Sequence, residues 1–181
     1  MNQPIAGVAP SQLGEVTNMV VWPSLSANPV GRFFGRLYAL DYGVRIFGVP
    51  VTLGRLIALA SAPIMVAIYF LMRLPRFPGV LVGFKNPFCW QYRLTNRRVI
   101  MENPFGAELK SVALDRFNTI DVVVEPGQGW YKAGDLVFRL GPTETFRLWA
   151  VPRPETFRAT CIKAQMSYVG VKKAREMGAA V

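Results

Sequence analysis

Residues 92–100 read YRLTNRRVI, and their alternation decides how the second half of the chain folds. Tyr92 and Leu94 fall on one side of an extended backbone, Arg93 and Thr95 on the other. Val99 resumes the pattern after Thr95-Asn96-Arg97, so the stretch predicts two short antiparallel strands joined by a tight turn, with Asn96 suited to a left-handed backbone. Adjacent arginines beside a threonine and a tyrosine also suit a phosphate grip or a nucleic-acid reader. The flanking strand pattern instead assigns Arg97 and Arg98 to a basic rim on a hairpin.

The alternation continues outward. Phe88 and Trp90 extend the apolar face toward the N-terminus. RVIMEN leads to a turn at Asn103-Pro104-Phe105-Gly106 and then to ELKSVAL. NTIDVVVE aligns Ile120, Val122 and Val124; DLVFRL aligns Leu136, Phe138 and Leu140; TFRLWAV aligns Phe146, Leu148 and Ala150. Past Pro152 the period changes: Phe157, Cys161, Ala164, Tyr168 and Val171 recur at steps of four and three, with Pro154 at a first helical position and Glu155 near the positive end of the helix dipole. These runs predict an α+β, mainly β, fold: a split antiparallel sandwich or barrel capped by a C-terminal helix.

The first half has another texture. Residues 1–31 carry a single charge, Glu15, and are rich in Pro, Ser, Asn, Gln and Gly; they read as an extended arm without the basic start and apolar run of a secretory signal. Residues 32–50 place Phe33, Leu37, Leu40, Val44 and Phe47 at helical spacing with Arg32, Arg36 and Arg45 between them, the pattern of an amphipathic segment at a membrane surface or of a helix packed on protein. Residues 51–73 follow. Their uncharged core, Leu56 to Met72, is short of the roughly 20 residues that cross a bilayer. Extended back to Val51 it reaches about 33 Å at 1.5 Å per residue. Arg55 would then snorkel near one end, and Pro63 would bend the span or turn it into a re-entrant hairpin.

Composition narrows the function. The 181 residues carry a formal net charge of +10, yet 51% of them are hydrophobic, a combination that favours a membrane partner over nucleic acid. Histidine is absent, which removes serine–histidine and cysteine–histidine nucleophile schemes and the commonest zinc ligand. Cys89 and Cys161 have no CxxC spacing and read as reduced thiols in or near the core. The carboxylates are scattered singly, and EPGQGW at 125–130 lacks the lysine and helix start of a phosphate-binding loop, so its glycines read as a strand connection.

Four segments carry a family resemblance through their order and spacing: YRLTNRRVI at 92–100, VALDRFN at 112–118, KAGDLVF at 132–138 and VPRPETF at 151–157. Together they resemble the bacterial pleckstrin-homology domain attached to a membrane segment, over residues 84–169, with a basic tail at 170–181. The resemblance implies a split barrel capped by a helix, no common catalytic activity and no cofactor. By analogy with eukaryotic relatives it also implies lipid-headgroup binding.

The expected protein is a non-catalytic, membrane-anchored scaffold or accessory subunit of a membrane complex, or a homo-oligomer, in the bacterial inner membrane with its folded domain in the cytoplasm. The alternative is a peripheral module binding anionic lipid through Arg97, Arg98, Lys110, Arg116 and Lys132. In either case Arg32, Phe33, Phe34, Arg36, Arg45, Arg55, Arg73 and Arg76 are expected at the membrane surface. No metal, cofactor or nucleic acid is expected.

Overall fold

A computed structural model of the chain describes residues 14–46, 49–73, 89–103 and 105–178. In order these form β1 (Thr17–Val21), a 3-10 turn (Leu25–Ala27), α1 (Pro29–Tyr38), β2 (Gly43–Ile46), β3 (Val49–Thr52), α2 (Leu53–Arg73), β4 (Gln91–Thr95), β5 (Arg98–Glu102), β6 (Glu108–Ala113), β7 (Thr119–Val123), a second 3-10 turn (Gly129–Tyr131), β8 (Ala133–Leu140), β9 (Thr143–Pro152) and α3 (Pro154–Gly178). The class is α+β. A four-stranded sheet runs β1-β4-β5-β6, a three-stranded sheet runs β7-β8-β9, and β2-β3 is a separate hairpin. All described pairings are antiparallel, and the two larger sheets do not join into a closed barrel.

Most of the alternating positions turn inward as their period requires, whereas Val124 and Leu140, at the ends of their runs, are exposed. Tyr92, Leu94, Val99, Leu136, Phe138 and Leu148 are fully buried between the two larger sheets. Phe157, Cys161 and Ala164 close that core from α3, which starts at Pro154. Each large apolar side chain so buried contributes about 1.5–3 kcal/mol. The buried Tyr92 hydroxyl donates to the Trp149 carbonyl (2.8 Å) and accepts from Trp90 Nε1 (3.0 Å), so its one polar atom is satisfied. Both cysteines are buried free thiols.

The amino-terminal half departs from the sequence reading in two places. The arm is not wholly separate: β1 pairs with β4, Val21 facing Tyr92 and Val20 facing Arg93, so a strand from the arm forms one edge of the sheet. The helical spacing read through Phe47 stops at Tyr38. Asn28 caps α1 by accepting from Val30 N (2.9 Å), with Pro29 in its first turn. Beyond Leu40 the chain turns into the β2–β3 hairpin, where Gly43, β-branched Val44 and Ile46, and Pro50 all disfavour a helix.

α2 is the one helix among the described residues long and apolar enough to cross a membrane, by length and composition. Pro63 lies inside it without ending it.

Candidate functional site

The hairpin read from YRLTNRRVI exists, with Asn96-Arg97 as its two-residue connection. Asn96 does not take the left-handed backbone; among the described non-glycine residues positive φ occurs at Lys132, Ala150 and Arg153. Thr95 stabilises the turn instead, its hydroxyl oxygen accepting from the amides of Arg97 (3.2 Å) and Arg98 (3.0 Å). That leaves the Asn96 amide for another task. Its Oδ1 accepts from Val16 N and its Nδ2 donates to the Gly14 carbonyl, both at 3.0 Å, while its backbone N donates to Val16 O. Asn96 thus fastens the chain just before β1.

Arg98 completes the clamp. Its Nε and Nη2 donate to the two carboxylate oxygens of Glu15 (2.8 and 3.0 Å) in a bidentate pair, and its Nη1 donates to Glu108 (2.8 Å). The hydrogen bonds from Arg98 hold the Glu15 carboxyl below the usual glutamate range, and those from Glu15 raise the Arg98 guanidinium in turn. A residue expected on an open basic rim therefore ties three segments of one sheet together.

The other expected rim residues are dispersed. Arg97 is exposed on the turn, Lys110 on β6 and Arg116 between β6 and β7. The Lys110 ammonium lies 5.8 Å from the centre of the Trp149 ring. Lys132 caps the second 3-10 turn with φ 51°. Asp115, beside Arg116, pairs with Lys172 of α3 at 3.0 Å, which lowers its carboxyl.

The residues expected at a membrane surface lie mostly on α1 and α2. Phe33 is 57% exposed and stacks edge-on against Phe34. Arg32 is half-buried on α1, whereas Arg36 reaches the Pro126 carbonyl (3.3 Å). Arg55 is exposed in the first turn of α2. Arg73, at its last turn, lies over Tyr69 (4.4 Å) and Trp22 (5.6 Å), its charge met by two ring faces. Arg45 belongs to β2, but its side chain is outside those described, and Arg76 lies outside the described residues altogether.

Sequence reasoning missed how these helices are held. The 125–131 connection is fixed from inside: the buried Gln128 accepts from Glu125 N (2.8 Å) and donates to the buried Asp135 (2.7 Å), which also accepts from Ala150 N (2.8 Å). The loop then presents Trp130 and Tyr131 to Tyr38 of α1, with ring centres 4.6 and 6.3 Å away. Two glycines set the approach. A Cβ on Gly35 would collide with the Gly127 carbonyl, and one on Gly54 with the Tyr38 carbonyl, so α1 seats on the loop and α2 on the end of α1 only without side chains there. Tyr38 and Ser61 join the helices through their hydroxyls. Two open apolar cavities run along the seam, ≈ 300 Å³ between Leu25, Met65, Tyr69 and Trp130, and ≈ 220 Å³ between Trp22, Tyr69, Met72 and Pro152. Such placements depend on backbone approach between distant segments, which local periodicity does not encode.

The described residues assemble no cluster of three or more histidine, cysteine or carboxylate groups able to hold a metal. Burial pushes both thiols up, the opposite of what a reactive cysteine needs. No family model, curated protein or solved structure matches the chain.

Proposed function

We propose that this chain is a non-catalytic, membrane-anchored module of the bacterial pleckstrin-homology type, acting as a scaffold or accessory subunit of a membrane protein complex. The observation that carries the reading is the outer face of α2. Leu56, Leu59, Ile64, Val66 and Phe70 are between 49% and 75% exposed beside a domain that already encloses a complete core of its own. An apolar face of that length needs a cover, and lipid is the simplest one.

Two further observations support the domain type. Two antiparallel sheets with a closing C-terminal helix suit the helix-capped arrangement that the resemblance implies, although β1 comes from outside residues 84–169. Two separate sheets suit a split rather than a closed barrel.

Partner binding is preferred to headgroup reading through the five-residue rim, because Arg98 is engaged by Glu15 and Glu108 and the other cations sit on separate elements. The proposed location is a bacterial inner membrane with the two large sheets on the cytoplasmic side.

Purification of the full chain from membranes in mild detergent tests the proposal. A membrane protein or a second copy is expected to accompany it in fixed ratio, and recovery as a bare monomer would overturn the scaffold role. Loss of vesicle binding in the quadruple variant R97E/K110E/R116E/K132E would favour the lipid-reading alternative.

A further inference from the structure

We infer that α2 lies in the plane of the membrane surface, immersed along its outer face, and does not cross the bilayer. The inference rests on the membrane reading above and specifies its geometry. A helix that crosses carries its soluble domain at one end. α2 is instead held by protein along its whole length.

Near its start, Gly54 abuts the Tyr38 carbonyl, and two turns later Ser61 meets the Tyr38 hydroxyl. In its middle, Ala62 and Met65 line a cavity with Leu25 and Trp130. At its end, Met72 is buried and Arg73 lies over Trp22, next to the strand β1. The contacts from Gly54 to Arg73 cover about 28 Å at 1.5 Å per residue, nearly the thickness of a hydrocarbon core.

The layer that holds α2 is not apolar. α1 carries Arg32 and Arg36, Glu125 and Lys132 flank the turn bearing Trp130 and Tyr131, and Arg153 and Glu155 follow Pro152. A perpendicular α2 would draw this layer into hydrocarbon with its charges and loop backbone, an arrangement that bilayers exclude. Laid flat, the same helix keeps the layer in water.

The helix surface fits that posture. Gly54, Ser61, Met65 and Met72 form a narrow buried stripe, and on the opposite side Leu56, Leu59, Pro63, Ala67 and Phe70 follow each other with no polar residue between them. Arg55 and Arg73, five turns apart, project from one edge of this apolar face, where anionic headgroups at a single depth reach both. The exposed Phe33 on α1 adds a further apolar contact beside the layer.

Depth measurement on the full chain tests this. Nitroxide labels at single cysteines replacing Leu56, Leu59, Ala67 and Phe70 are compared in phosphatidylcholine–phosphatidylglycerol vesicles by relaxation with oxygen and with a polar nickel chelate. The native thiols are buried and stay unlabelled. All four labels are expected at one shallow depth, about 5–10 Å below the headgroups. A maximum at Leu59 and Ala67 with Leu56 and Phe70 shallower means a crossing helix; it overturns the inference and leaves the membrane reading intact. Labels that remain open to the polar reagent, or a chain that stays off the vesicles, overturn both. Strong dipolar broadening between labels with little oxygen access assigns the face to a second copy and overturns the inference.

Discussion

The enclosure formed by the two larger sheets with α3 and the layer formed by α1 and α2 are both rich in apolar residues, but they spend them in opposite directions. In the first, Tyr92, Leu136, Phe138 and Phe157 are sealed from solvent. In the second, α2 buries a stripe of small or flexible residues, Gly54, Ser61, Met65 and Met72, and turns Leu56, Leu59 and Phe70 outward. The difference separates an enclosed apolar core from an apolar helix face that the described residues leave open.

Substitution should separate the two regions most sharply at their best-matched side chains. Phe138→Ala empties a fully buried site between the sheets and should lower unfolding free energy by about 3–5 kcal/mol, read from denaturant titration. Leu59→Ala, at 75% exposure, should leave that titration within about 0.5 kcal/mol while weakening vesicle retention. Equal losses at both positions would dissolve the distinction.

The seam comes next. Gly35→Ala forces a methyl group into the Gly127 carbonyl and should cost about 1–3 kcal/mol, with α1 becoming protease-sensitive before the sheets unfold. Simultaneous cleavage of both regions would mean that they form one cooperative unit.

The clamp on β1 gives a smaller effect. Asn96→Ala removes two side-chain hydrogen bonds and should cost about 1–2 kcal/mol, read as faster amide exchange at Val16 with Phe138-centred protection unchanged.

The smallest expected effect is on pH dependence. Arg98 lowers the Glu15 carboxyl in the folded state, so Glu15 contributes its stabilisation above the ordinary glutamate range and loses it as pH falls through the lowered native value. Asp115 with Lys172 and Glu144 with Arg147 shift in the same direction. Exchange at Val16 should therefore quicken below about pH 4, and Glu15→Gln should flatten that portion of the profile.

How much of this was legible in the sequence follows from the range of the forces involved. The period-two runs from Tyr92 to Ala150 and the four–three spacing of α3 depend on neighbours a few residues away, and most of their positions read correctly, Val124 and Leu140 at the run ends being exposed instead. The amphipathic helix read through Phe47 failed because apolar spacing was weighed above Gly43 and the β-branched residues that follow it. The roles of Asn96 and Arg98 stayed hidden, since their partners Gly14, Val16 and Glu15 lie some 80 residues upstream and carry no local sign of pairing. Gly35 and Gly54 carry no local sign of their role, which becomes visible only when another backbone lies against them. The buried Gln128–Asp135 pair was equally silent, because the two residues face each other across a strand connection.

The pairing of Val21 with Tyr92 has a consequence for how the chain is made. The described elements between them, from the first 3-10 turn to α2, lie outside the four-stranded sheet, and β4 then pairs beside the chain's own point of departure. During synthesis, the first strand emerges early and waits for its neighbour until α2 has also left the ribosome. Loop closure over that distance is slow compared with formation of the hairpins that follow. If α2 engages lipid in the interval, the bilayer itself shortens the search, holding one end of the loop near the place where the sheet will be finished.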